Sequence, residues 1–551
     1  MRSGVRRGTG AVTLLAALAS FAGCGSSGSG NANPATVTPA SAPLYATIAI
    51  KPSGGAKSDA EVAAKKLTHL AEPYGGLAQA LLSSGGAQLQ FKRDIEPWVG
   101  DEAGVFITSL NASTLPQGAS SVQGLLEGGL TGAVSSAIGA AGFGKGAQGG
   151  IVFATSDVGG ARSFLQRTAH EHGAQSTSYR GVSYEISADG VAEGIVKNFA
   201  VIASQSGMKS VIDTSLGGAS ITTAPGYVTP PKDAIASAYA RPQELTKAIA
   251  GSTGPASQGV ALLGQLFKDA QWASLSVTPT SNSISLQGEV GSTSATKPLF
   301  GKEGAQALGA LPGTSWLAAG VGDTGSNLPS ALRLLSAVAS LGSSTVFSSF
   351  GGPSIERIFK ALESPGAKLS QDFGSWAGAG GMFIGGSGLF NLQAGLVIDS
   401  KEPAASQAAV AKLGALMKSA GATVASAQIA GADAAISVKL QGFPAVIYVA
   451  DGAGKFVLGL GQQSIQGALT PSSTLSTSPA YSSASAILGG GIEPSLIVEF
   501  PTLLGFLEGV GLTQSEPLAK IIPYLKSLGT LTAGATSQSG VERFRVVLGL
   551  A

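Results

Sequence analysis

From Leu44 to Ile50 the chain reads Leu-Tyr-Ala-Thr-Ile-Ala-Ile, an alternation with the two-residue period of a β-strand. Glu61 to Leu82 carries a longer period and predicts a helix. Ser406 to Met417 sets Ala409, Val410, Leu413 and Leu416 on one face, the 3.6-residue repeat of an amphipathic helix. Ala432 to Leu440 and Pro444 to Val449 read as two strands joined like a hairpin across Gly442. Short connections between successive strands favour antiparallel pairing. The expected fold class is therefore α+β, an antiparallel sheet with helices packed on one face. Three further runs, Leu328 to Phe350, Phe500 to Leu512 and Ile521 to Leu528, are apolar enough to read as helices. Such faces are ordinarily core, and in a minority of proteins they line a cavity for an apolar ligand.

The same patterns occur twice. Asp94-Ile95-Glu96-Pro97-Trp98-Val99-Gly100 precedes an apolar strand at Gly104 to Ile107, and Asp372-Phe373-Gly374-Ser375-Trp376-Ala377-Gly378 precedes one at Gly381 to Ile384. Gly150-Ile151-Val152-Phe153 with its trailing Asp157 matches Gly395-Leu396-Val397-Ile398 with Asp399. A helical segment follows in each copy (161–171 and 404–419), ending in Gly173-Ala174 or Gly421-Ala422. Phe199-Ala200-Val201-Ile202 then matches Phe456-Val457-Leu458-Gly459, and Ala224-Pro225-Gly226-Tyr227 matches Ser478-Pro479-Ala480-Tyr481. The closing alternating runs, 275–290 and 531–548, also correspond. We expect two tandem homologous units, 41–291 and 305–551. They differ mainly by a Gly/Ala-rich insertion at 109–148 in the first, expected to be mobile or to lie over a neighbouring surface. Trp98 and Trp376 are expected to be equivalent structural anchors, each buried at the entry to a strand.

Over most of residues 41–551 the chain resembles the bacterial domain of unknown function 3352 family. Ala42-Pro43-Leu44-Tyr45-Ala46, Pro97-Trp98-Val99-Gly100 and the strand at Gly150 to Phe153 with its following helix carry the resemblance. It implies a duplicated envelope lipoprotein and brings no catalytic residues. Ser375-Trp376-Ala377-Gly378 departs from the family's Pro-Trp-(Leu/Val)-Gly pattern.

The N-terminal stretch adds an address. Arg2, Arg6 and Arg7 lead into a short apolar run at 11–19, then Phe21-Ala22-Gly23-Cys24 and a Gly/Ser stretch. A run this short does not span a bilayer, which takes about 20 residues. Residues 1–23 therefore read as a lipoprotein signal peptide, Cys24 as the lipidated residue and 24–40 as a Gly/Ser/Pro-rich tether. Phe21 stands where such signals prefer Leu. Arg6-Arg7 suggests a twin-arginine route, but Gly8-Thr9-Gly10 follows in place of the apolar pair that route uses. Cys24 is the one cysteine, so its modification leaves no thiol for disulfides, nucleophilic catalysis or metal binding. Formal charge is +2 and becomes −1 without the three signal arginines (31 basic against 32 acidic groups), which gives no basis for nucleic-acid binding.

Motifs for chemistry are sparse. His170-Glu171-His172 has the wrong spacing for a helical metal pair, and reads as a solvated helix end. Gly144 to Gly149 fits G-x-G-x-x-G, but a strand follows it where a dinucleotide site has a helix. Ser206 with Lys209, and Ser294 with Lys297, fit Ser-x-x-Lys without the companion motifs of penicillin-binding enzymes. Asp94, Asp101 and Glu102 around Trp98 could suggest glycoside cleavage, yet Gly378-Ala379-Gly380 falls where the second copy would need the latter two. The sequence thus predicts no catalytic residue, no metal and no cofactor. The expected function is a membrane-anchored, non-enzymatic binding or scaffold module on the outer face of the bacterial membrane, with an unknown envelope protein as partner. The alternative is a carrier or sensor of an apolar ligand such as an acyl chain.

Overall fold

The computed structural model describes residues 32–52, 54–68, 90–110, 147–249, 270–292, 300–325, 374–386, 388, 391–441, 445–511, 513, 519 and 521–551. The chain divides into two compact units. The first holds residues 1–295 with 539–543 and 549–551, and the second 296–538 with 544–548.

The strands of the first half are β1 (Leu44–Ala49), β2 (Val99–Leu110), β3 (Ala147–Thr155), β4 (Gln175–Tyr179), β5 (Val182–Ile186), β6 (Val191–Val196), β7 (Phe199–Ser204), β8 (Ala236–Ala240), β9 (Ala270–Thr280) and β10 (Ser283–Ser292). They join in the order β4-β5-β6-β7-β3-β2-β1-β8-β9-β10, each pair antiparallel. The second half has β11 (Ser315–Val321), β12 (Ala377–Gly385), β13 (Gln393–Ser400), β14 (Thr423–Ser426), β15 (Ala434–Lys439), β16 (Val446–Gly452), β17 (Lys455–Leu460), β18 (Leu496–Glu499), β19 (Leu528–Gln538) and β20 (Val541–Leu550). Their order is β14-β15-β16-β17-β13-β12-β11-β18-β19-β20, the same path through the sheet. The isolated bridges repeat as well, Pro39 to Ser220 and Pro312 to Thr474.

The helices are α1 (Gly54–Thr68), α2 (Val158–Glu171), α3 (Gln205–Ser215), α4 (Pro242–Ile249), α5 (Lys302–Gly309), α6 (Pro403–Ser419), α7 (Gly461–Leu469), α8 (Pro479–Leu488), α9 (Phe500–Gly509) and α10 (Ile522–Lys526). They cover both sheet faces rather than the one expected. Phe164 and Leu165 of α2 pack with Ala200, Phe153 and Ile202, whereas Met208, Val211 and Ile212 of α3 pack with Val152 and Val201. Neighbouring residues of a strand point to opposite faces, so the two helices lie on opposite sides. In the second unit α6 packs with Ile398 and Phe456, and α7 with Val397 and Val457. The physical reason was present in the apolar run Ile151-Val152-Phe153-Ala154: a strand apolar at every position needs cover on both faces.

Other expectations change. The tether predicted for 24–40 ends earlier, because Pro34–Thr36 forms a 3-10 turn capped by Asn33 and Ala35, Val37 and Thr38 are buried. The second unit's packed structure begins with α5, before residue 305. In the run Ile521 to Leu528, only α10 is helical and Leu528 opens β19. Residues 69–82 of the predicted first helix, the apolar run Leu328 to Phe350 and residues 111–146 of the insertion lie outside the described residues, while 109–110 and 147–148 extend β2 and β3.

The ladders also correct the repeat by one residue. Phe153 pairs with Ala200 and Ile398 with Phe456. Phe456 therefore corresponds to Ala200, not Phe199. A one-residue slip turns every side chain to the other face, so the matching of Phe letters was misleading. Likewise Asp399 lies inside β13, and the counterpart of Asp157, the N-cap of α2, is Glu402 before α6.

Candidate functional site

Trp98 and Trp376 each sit immediately before a strand, β2 and β12, and are buried (3% and 1% exposed). The Trp98 indole N–H donates to the Asp94 carbonyl at 2.7 Å, and the Trp98 carbonyl accepts from Ser156 N–H at 2.9 Å. The Trp376 carbonyl accepts from Lys401 N–H at 2.8 Å, one residue before the N-cap in both units. A side chain following the first strand of each unit closes this turn. Lys51 Nζ donates to the Glu96 and Val99 carbonyls at 2.6 and 2.8 Å, and Thr324 Oγ1 to that of Gly378 at 2.7 Å. Both tryptophans are thereby locked in place, leaving no free indole face to stack a ligand.

The remaining sequence candidates separate in space. His170 and His172 are exposed at the end of α2. Lys209 lies over the Tyr179 ring at 5.4 Å, and the Ser206 hydroxyl is taken up by Gln148. Ser294 and Lys297 lie outside the described residues, as does Cys24. Asp94 is bound by Arg93, whose hydrogen bond with that from the Gln90 N–H lowers its pKa to about 2. Asp101 and Glu102 are adjacent in β2 and so point to opposite faces. Among the described residues, no helix is long and apolar enough to cross a membrane, and no group of three or more His, Cys, Asp or Glu could hold a metal.

A different constellation comes from the ladders. Tyr45 pairs across with Phe106 and Tyr239, Thr47 with Gly104 and Ser237, and Ala49 with Glu102, so these side chains share one face of the first sheet. Ser274, opposite Tyr239, belongs to the same face. Gly104 is needed there, because a Cβ would fall 2.9 Å from the Tyr45 ring and 3.0 Å from its hydroxyl. Thr47 and Ser237 share a 2.6 Å hydrogen bond.

The loop 224–233 is tied onto this face. Tyr239 donates to the Pro225 carbonyl and Ser274 to that of Gly226, each at 2.8 Å. Gly226, at φ +75°, lies so near the Trp272 ring that a Cβ would fall 1.9 Å from Cδ2. The loop then presents Tyr227, whose ring centroid is 6.5 Å from Tyr45 and 5.9 Å from Tyr239. Tyr45 is 1% exposed and its hydroxyl has no partner. Burial first, then Tyr227 and Glu102, push the Tyr45 pKa well up. Glu102 is half-buried, and burial followed by the charge of Asp101 raises its pKa. Among the described residues it has no ion-pair partner.

The second unit has none of this chemistry at the matching positions. Ala318 stands for Tyr45, Gly320 for Thr47, Ile497 for Tyr239 and Thr532 for Ser274. Helix α5 rests there so closely that a Cβ on Gly320 would fall 2.0 Å from the Gly304 carbonyl oxygen. Among the described residues, the first unit has the Pro34–Thr36 turn at that place, and an extended loop where α8 stands. Sequence reasoning missed the Tyr45 cluster because β1 was never set against β11. The signal was the exchange of Tyr45 and Thr47 for Ala318 and Gly320.

No curated protein matches the chain. Two solved structures are similar to parts of it, both of TP0453. Crystal form I has 10% identity and a TM-score of 0.24, covering 49% of this chain and 82% of that one. Crystal form III has 11% identity and a TM-score of 0.23, covering 49% and 83%. The model of the family described as "Protein of unknown function (DUF3352)" matches residues 8–548, and the chain belongs to that family.

Proposed function

We propose that this protein is a lipoprotein of the bacterial cell envelope, held on the outer face of the membrane by acyl chains on Cys24. It acts without catalysis as a binding or scaffold module made of two tandem homologous units. The observation that carries this reading is the shared strand order of the two halves combined with their difference at one sheet face. A duplicated frame that diverges mainly where the first unit gathers Tyr45, Glu102, Tyr227 and Tyr239 is what a binding module with one specialised unit requires. The anchor rests on the order of charged head, apolar run, Cys24 and Gly/Ser stretch. Two acyl chains or more hold a protein on a bilayer stably, where one myristoyl chain does not.

The test is Cys24→Ala in the native host, with fractionation and labelling by radioactive palmitate. The wild type incorporates label and stays with membranes through a salt wash. The variant loses the label and becomes soluble; a variant that stays membrane-bound overturns the anchor.

A second reading, a carrier of an apolar ligand, draws on α9, where Leu503, Leu504 and Phe506 are only half-buried. Native mass spectrometry of the purified protein separates the two, since a carrier retains lipid and a scaffold does not.

A further inference from the structure

Of the large apolar side chains exposed among the described residues, two fall on one short stretch: Leu216, 54% exposed at the end of α3, and Val228, 42% exposed in the loop 224–233. Leu216 to Pro231 carries no charged side chain. Charge returns at its ends, with the Arg180–Asp213 ion pair at 2.9 Å before it and the exposed Lys232 and Asp233 after it. An uncharged surface with protruding apolar groups and a charged rim suits an apolar partner.

The N-terminal segment is fastened to this same stretch. Pro39 bridges to Ser220, the Ala40 N–H donates to the Ala219 carbonyl at 2.9 Å and the Ile221 N–H to that of Thr38 at 2.8 Å. Ala32, where the described residues begin, packs against the cluster that holds Ile221 and Ala224. Eight residue steps separate Ala32 from Cys24, a reach of at most about 28 Å. That is less than the breadth of a compact domain of this length, about 45 Å. A lipid on Cys24 therefore keeps this side of the first unit toward the bilayer. A tether this short also raises the effective concentration to the order of millimolar, so contacts too weak to recruit a free protein become populated.

We propose that the first unit docks through residues 216–231 on the membrane that holds Cys24, with Leu216 and Val228 entering the interfacial layer of the lipid. Helix α2, on the opposite side of the sheet, points away from the bilayer. The inference rests on the lipid-anchor reading and adds an orientation to it.

Spin labelling of the lipidated full chain in vesicles of phosphatidylcholine and phosphatidylglycerol tests it. Cys24 is the one cysteine and its sulfur is occupied by the lipid, so Leu216→Cys, Val228→Cys and Ser163→Cys each offer a single labelling site. Ser163 is exposed on α2 and serves as the control. Labels at 216 and 228 should lose collisions with an aqueous nickel complex, gain collisions with oxygen and lie about 5–10 Å into the headgroup–acyl boundary. The label at 163 should stay in water. Circular dichroism checks that each variant keeps the wild-type fold.

Labels at 216 and 228 that stay in water, or a label at 163 that enters the lipid as deeply, overturn the docking. So do labels at 216 and 228 shielded from both collision partners in vesicles and detergent alike, because a segment of this chain or a bound protein then covers the loop. Mass spectrometry of the purified chain keeps the two readings apart. A Cys24 without acyl chains overturns the anchor and the docking with it, whereas a lipidated chain with labels in water overturns the docking alone.

Discussion

Each unit places a polar pair in the seam between sheet and helix, half-buried in the first and buried in the second, at different heights. In the first, Thr168 near the end of α2 donates to Glu193 of β6 at 2.8 Å, while the apolar pair Ala161 and Ile195 fills the beginning of the seam. In the second, Ser406 in the first turns of α6 stands beside the buried Asp451 of β16 and donates to the Pro403 carbonyl at 3.0 Å, and Leu413 and Val449 occupy the later position. In each unit the polar residue of the helix has a polar neighbour on the sheet. A lone polar replacement would leave a buried group unsatisfied, whereas a joint one satisfies both partners. The tryptophans show the same rule for volume. Trp98 touches Phe153 of β3 edge-on at 5.9 Å and Phe164 of α2 at 5.3 Å, and Trp376 meets Phe456 of β17 at 5.2 Å. Opposite Ile398 stands Phe456, and opposite Phe153 stands Ala200, so the aromatic ring is carried by different strands of the pair in the two units.

Emptying the anchors tests the comparison most severely. Trp98→Ala and Trp376→Ala should each cost about 3–5 kcal/mol, the usual range for a buried aromatic, read by chemical denaturation. A loss in only one unit would show that the two indoles play different parts.

The covering helix comes next. Gly320→Thr, which installs the residue of the first unit, should cost about 3 kcal/mol because the Gly304 carbonyl leaves no room for a Cβ. The converse Thr47→Gly should cost much less. Similar losses for the two would mean that α5 yields readily and that the faces differ less than their packing indicates.

Transplanting the aromatic exchange sharpens the volume rule. Ala200→Phe alone should cost about 1–3 kcal/mol by overpacking. Combined with Phe153→Ile, it should recover at least about 0.5 kcal/mol through coupling of the two sites. Strictly additive losses would refute compensation.

The smallest effect concerns Asp451, 4% exposed with one carboxylate oxygen unpartnered. Burial raises its pKa above the ordinary aspartate value, against the Ser406 hydrogen bond. The folded state therefore holds its proton more tightly than the unfolded chain. That contribution is complete below about pH 4 and is lost as the pH rises through the folded pKa. Asp451→Asn should match the wild type near pH 3.5 and be the more stable at pH 7. A variant less stable at both pH values would show that the carboxylate serves a structural bond instead.

Much of the frame was legible in the sequence. The two-residue alternations marked β1 and β9, the 3.6-residue stripe marked α6, and the doubled Trp segments marked two strand entries, because periodicity and burial of a large ring are local consequences of residue type. The proposed address rests on Cys24 and its surroundings alone, and Cys24→Ala tests it without reference to the fold. Four things were decided only by tertiary structure: the path of strands through each sheet, the helices on both faces, the correspondence of Phe456 with Ala200, and the gathering of Tyr45, Glu102, Tyr227 and Tyr239 from separated parts of the chain. Register and cross-strand neighbours arise from pairing between distant segments. Local period shows that a residue faces inward, and only the ladder shows what it faces.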